Sequence, residues 1–150
     1  MPTDHERLMR IALEEGEIGA AEGNAAVGSI IVDGETVVAR GRNLVASNSD
    51  PTAHAETVAL RHAGEALQRT DFSGLTLYTT FEPCPMCCGA ILASGISTLV
   101  MGARPEPGQS RWGGYTVETL IDMTHSADRI TVITGILTQE CADIRNLETT

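Results

Sequence analysis

The chain has 150 residues, an apolar fraction of 42% and a charged fraction of 20%, which suit one globular domain spanning 1–150. Twenty acids against ten bases give a formal net charge of −10; this argues against nucleic acid as a partner, because phosphate binding needs clustered bases that displace counterions. All ten bases are arginine, so Schiff-base catalysis and a phosphate-loop lysine are excluded.

The longest apolar runs, such as "SIIVD" and "STLVMG", fall far short of the roughly 20 residues of a membrane span. The opening "MPTDHERLMR" carries acids and lacks the apolar stretch of an export signal. No membrane association is expected, and a cytoplasmic location is.

Residues 4–22 show helical spacing at Leu8, Ile11, Ala12 and Glu15. Residues 27–32 form a predicted strand, Asp33-Gly34 a tight turn, and 36–40 the returning strand. Turn formers dominate 43–53, a predicted loop. A helix is expected over 54–69 and a buried strand over 74–80. The short apolar segment 85–94 opens on Pro85, which fits the first turn of a helix. A strand over 96–103, a loop over 104–114, a helix over 116–126, a strand over 129–135 and a helix over 138–147 complete the order. A hairpin followed by alternating units predicts an α/β fold: a mixed five-stranded sheet in a three-layer α/β/α arrangement.

Three of the four cysteines, Cys84, Cys87 and Cys88, lie within five residues of one another. A disulfide framework spreads its cysteines, so the clustering favours a metal or reactive thiols. Zinc takes thiolate and imidazole ligands; structural sites use four protein ligands, catalytic sites three. His54, Cys84 and Cys87 supply three. Cys88 points about 100° away from Cys87 on a helix, and His62 lies two turns from His54, so neither completes the set. Both His54 and Cys84 fall near predicted helix starts, whose partial positive charge favours thiolate. Glu56 sits in the first helical turn beside His54. Two thiolates nearly neutralise Zn2+, so water there needs a carboxylate to take its proton and later return it. Glu56 is assigned that catalytic role.

His54-Ala55-Glu56 followed by Pro83-Cys84-Pro85-Met86-Cys87 resembles the zinc deaminase signature H-x-E…P-C-x-x-C. "NAAVGSIIVDGETVVARGRN", "DPTAHAE", "LYTTFEPCPMCCGAI" and "VMGA" extend the likeness over residues 5–103. The chain is thus similar to the cytidine and deoxycytidylate deaminase superfamily. The similar branch holds guanine deaminases, fungal-type cytosine deaminase and bacterial tRNA adenosine deaminase. That resemblance implies the five-stranded fold, zinc on His54, Cys84 and Cys87, and proton transfer by Glu56. It also implies substrate contacts from Asn43, the Ala55 backbone and Glu82, and a homodimer or higher homo-oligomer.

The negative charge and the acidic segment "TQECADIRNLETT" favour a small amino-heterocycle over RNA. The expected reaction is deamination of a guanine-, cytosine- or triazine-type base, releasing ammonia, as part of nucleobase metabolism. A tRNA adenosine deaminase is the alternative; a non-catalytic zinc-stabilised module is another. Segment 104–125 matches neither the guanine nor the tRNA branch closely. It supplies Trp112 and Tyr115 as ring-stacking candidates and Glu106 as a partner for an amine or ring N–H.

Overall fold

Asp4 opens the first helix, α1 (His5–Ala21), by accepting from the Arg7 N–H at 3.0 Å. Leu8, Met9, Ala12 and Leu13 recur at helical spacing and are all buried. The hairpin follows as β1 (Gly28–Asp33) and β2 (Thr36–Arg42). Its loop is Gly34-Glu35, one residue later than the Asp-Gly expectation. Gly34 takes φ +64, which suits the first loop position of a two-residue hairpin. The pairing passes from Ile31 opposite Ala39 to Val32 opposite Val37, so Val38 is bulged. The computed structural model describes residues 2–146.

The remaining elements are α2 (Val45–Asn48), α3 (Ala55–Leu67), β3 (Thr76–Phe81), α4 (Pro85–Ser94), β4 (Thr98–Ala103), α5 (Val117–Met123), β5 (Thr131–Ile133) and α6 (Thr138–Arg145). Strand order is β2-β1-β3-β4-β5. β1 runs antiparallel to both neighbours, and β3, β4 and β5 are parallel. The sheet has the predicted size and mixed character.

Strand periodicity sorts the two cores. Ile30, Val32, Tyr78 and Val100 face α1 and α6, where they meet Leu8, Met9, Cys141 and Ile144. Their neighbours Ile31, Leu77, Leu99 and Met101 face α3, α4 and α5, against Ala59, Ile91 and Ile121. Helices therefore cover both faces, and parallel strands buried on both sides read as near-continuous apolar runs.

One close contact seats α3. A Cβ on Gly41 of β2 would lie 2.4 Å from the Ala55 carbonyl oxygen and 2.5 Å from the Ala59 nitrogen. Glycine lets the first turn of α3 press directly on the sheet. The start of α3 is thereby fixed beside the carboxyl end of β3, where α4 begins.

Other expectations also differ in detail. Segment 43–53 is a loop except for α2, a single turn closed by Ser49 at φ +49. The last strand covers only 131–133 of the expected 129–135, as an edge strand paired on one side. The helix expected to reach residue 147 ends at Arg145, and residue 147 lies outside the described residues. Among the described residues no helix is long and apolar enough to cross a membrane.

Candidate active site

Two helix starts carry the chemistry. His54 is the N-cap of α3 and Cys84 the N-cap of α4; both backbones are extended there. Pro85 occupies the first turn of α4, where its missing N–H costs nothing. The Thr57 hydroxyl donates to the carbonyls of Thr52 and His54 and steadies the first turn of α3. Cys87, one turn into α4, is fully buried.

His54, Cys84 and Cys87 bring one nitrogen and two sulfurs within 4.8 Å of one another. Cys84 Sγ lies 3.6 Å from His54 Nδ1. Zinc bond lengths at a tetrahedral angle place such a sulfur and nitrogen about 3.6 Å apart. The donor set and spacing therefore fit zinc. Among the described residues no fourth His, Cys, Asp or Glu joins the cluster. Three protein ligands are the catalytic count.

Of the three residues, Cys84 is the one that gives up its proton readily. The Cys84 thiol is pulled down to about 4, first by the hydrogen bond from Cys87 and then by His54. The proton shared by the two sulfurs pushes Cys87 upward in turn, while the Thr57 N–H favours its thiolate. His54 is raised, chiefly by its hydrogen bond to Cys84.

Glu56, in the first turn of α3, is 4% exposed. Burial raises its carboxyl to about 7; the Thr79 hydroxyl on the sheet beneath opposes the rise. A carboxyl poised near neutrality, beside a three-ligand cluster, is suited to taking and giving one proton.

A cleft of about 650 Å³ opens over this cluster. Asn43, Ala55, Glu82, Trp112 and Tyr115 line it together with His54, Glu56 and Cys84. Asn43 is 8% exposed, and its Oδ1 accepts from the Val45 N–H at 3.0 Å, which orients the amide. The Glu82 carboxylate is already engaged: it accepts from Arg104 Nη2 at 2.7 Å and from the Val117 N–H at 3.0 Å, bracing the start of α5. Tyr115 likewise donates its hydroxyl to the Pro83 carbonyl at 2.6 Å. Trp112 is 42% exposed. Glu106 stands apart from these: it is exposed in a turn and does not line the cleft.

Sequence reasoning missed other parts of the wall. Asn24 accepts from the Ala46 and Ser47 N–H groups at 3.0 and 3.1 Å and so holds α2 in place. Arg111 and Arg145 bring two positive charges to the cleft, stacked over Trp112 at 4.6 Å and Phe81 at 4.4 Å. No local motif announces either pair. The exposed tryptophan next to an arginine was the one available signal.

Residues 2–103 match the family model described as the cytidine and deoxycytidylate deaminase zinc-binding region. The tRNA-specific adenosine deaminase of Haemophilus influenzae is 38% identical over 138 residues, 91% of this chain and 78% of that protein. A solved structure from a study of A-to-I editing by tRNA:A34 deaminases at the wobble position superposes with TM-score 0.79 and 31% identity, covering 92% of this chain and 98% of that one. The guanine deaminase of Nitrosomonas europaea superposes with TM-score 0.80 and 27% identity, covering 100% of this chain and 87% of that one.

These findings correct the expectation of a free-base substrate and of a partner set without nucleic acid. Similar proteins spanning most of the chain are named for tRNA. The physical error lay in treating a total as a map. Net charge sums every surface, and it includes exposed acids such as Glu6 and Glu17 on α1. Other acids are neutralised locally: Glu22 pairs with Arg42, and Glu82 and Glu118 with Arg104. The cleft wall itself carries Arg111 and Arg145. Family match, sheet order and the His-Cys-Cys cluster agree, and the chain belongs to the cytidine and deoxycytidylate deaminase family as a hydrolytic deaminase.

Proposed function

We propose that this protein deaminates adenosine within tRNA, converting it to inosine and ammonia. The observation that carries the proposal is the 38% identity to a tRNA-specific adenosine deaminase across 91% of the chain. A tRNA substrate also supports the expected cytoplasmic location.

His54, Cys84 and Cys87 would hold a zinc ion. Zinc bound there would supply a Lewis acid that lowers the pKa of water, with a neighbouring carboxylate completing the activation. Glu56 takes a proton from the attacking water as oxygen bonds to C6 of the adenine ring, and passes it to N1 as the C6=N1 double bond becomes single. It then moves the remaining hydroxyl proton to the exocyclic nitrogen, the C6–N bond breaks, ammonia leaves, and the C6 carbonyl of inosine forms. The same carboxyl serves both transfers, since it sits in the first turn of α3 beside the His-Cys-Cys cluster. Asn43, its amide oriented by Val45, holds the base edge. The Ala55 N–H, at the start of α3, has no acceptor within its own helix and offers a further donor.

The test is inosine formation. The zinc-loaded protein is incubated with adenosine-containing tRNA and, separately, with free guanine and cytosine. Inosine in the digested tRNA is expected. Ammonia from a free base with none from tRNA would overturn the proposal.

A further inference from the structure

We propose that Arg111 and Trp112 form a stacking clamp for the nucleotide beside the reacting adenosine, so that a single-stranded RNA loop, not a mononucleoside, fills the cleft. The inference rests on the tRNA reading above and deepens it.

Size is the first argument. A cleft of about 650 Å³ is in the range that takes a whole drug-sized ligand. A single purine ring is smaller than such a cleft, and Arg111 and Trp112 in its wall offer a place for a second planar group.

The chemistry of that wall is the second. Trp112 is the sole tryptophan and remains 42% exposed although a guanidinium lies 4.6 Å over its ring. A large aromatic left in water at a cleft mouth is matched to a planar partner. Every base has such a face, and stacking on aromatic side chains is how single-stranded RNA is held without regard to sequence. Arg111 makes no ion pair among the described residues, whereas Arg10, Arg40, Arg42 and Arg104 all do. Arg111 lines the same cleft as His54 and Cys84. A cation there, next to a stacking face, suits a phosphate attached to the stacked nucleotide.

Rigidity is the third. The loop is fastened to the Glu82-Pro83-Cys84 turn at both ends, by Arg104 on Glu82 at 2.7 Å and by the Tyr115 hydroxyl on Pro83 at 2.6 Å. Between them, the Trp112 N–H donates to Ser110 Oγ at 3.1 Å and the Tyr115 N–H to the Trp112 carbonyl at 3.2 Å. A platform ordered beforehand loses less entropy on binding. It is also fixed relative to Cys84, so a base on Trp112 sets where its neighbour sits above Glu56.

The test uses an RNA hairpin with adenosine at the wobble position of its loop. Trp112→Ala should lower kcat/KM on the hairpin by about 10- to 100-fold, mainly through KM, with zinc content and thermal midpoint unchanged. Trp112→Phe should recover most of the loss. Arg111→Gln should reduce the salt slope of binding by about one. In the Glu56→Gln protein, emission from the sole tryptophan should be quenched as hairpin binds. An active wild type with Trp112→Ala within twofold of it, or unquenched emission while a labelled hairpin binds by anisotropy, would overturn the clamp alone. A wild type that makes no inosine from the hairpin would overturn the tRNA reading and the clamp together.

Discussion

Replacing Glu56 by Gln should stabilise the metal-stripped protein at neutral and alkaline pH. Burial holds the Glu56 carboxyl at about 7, against an ordinary value of 4.5. That gap corresponds to about 3 kcal/mol between the two protonation states. The folded state prefers the protonated acid, so its contribution is complete below pH 4.5 and is lost as pH rises through 7. Glutamine has the same shape and no proton to lose. The advantage of Glu56→Gln should therefore be absent near pH 4, grow between 4.5 and 7, and level off at about 3 kcal/mol by pH 8. Urea denaturation of chelator-treated wild type and variant, at intervals from pH 4 to 8.5, measures the difference directly. Parallel stability curves across that range would refute the claim that burial governs this carboxyl.

Cys87→Ser should lose stoichiometric zinc and reduce turnover to background, which metal analysis alongside inosine release checks. Gly41→Ala places a methyl group 2.4 Å from the Ala55 carbonyl oxygen. Lifting α3 off β2 should cost about 1–3 kcal/mol, with a fall in thermal midpoint of about 2–4 °C for each kcal/mol. Tyr115→Phe leaves the buried Pro83 carbonyl without its donor. A loss of about 1–2 kcal/mol is expected by urea denaturation; an unchanged midpoint would show that this bond does not anchor the loop.

The parts of the fold that sequence foretold are those set by neighbours a few residues apart. Gly34 turns the hairpin and Pro85 opens α4, each through its own backbone chemistry. The spacing of Leu8, Ala12 and Leu13 gives α1 one apolar side. The H-x-E and C-x-x-C spacings each lie within one helical turn, so the ligand cluster was also legible. α2 was not, because a four-residue turn has no period to detect and depends on Asn24, more than 20 positions away.

Long-range pairing explains the other gaps. Glu82 presents as a cleft residue in the "FEP" turn, yet its carboxylate is committed to Arg104 and to Val117, 35 residues on. Arg145 reaches the cleft from α6 by stacking on Phe81 of β3, a meeting no window of sequence contains. The substrate expectation failed for a related reason. Composition counts charges, but only the folded chain shows that Arg111 and Arg145 stand at the cleft while many acids face solvent elsewhere.

The most direct measurement pairs two readouts on two proteins: zinc content and inosine formed in tRNA, for wild type and Glu56→Gln. Equal zinc in both, with inosine from the wild type alone, is the predicted result. A Glu56→Gln protein that still makes inosine at near the wild-type rate would contradict the assignment of proton transfer to this carboxyl.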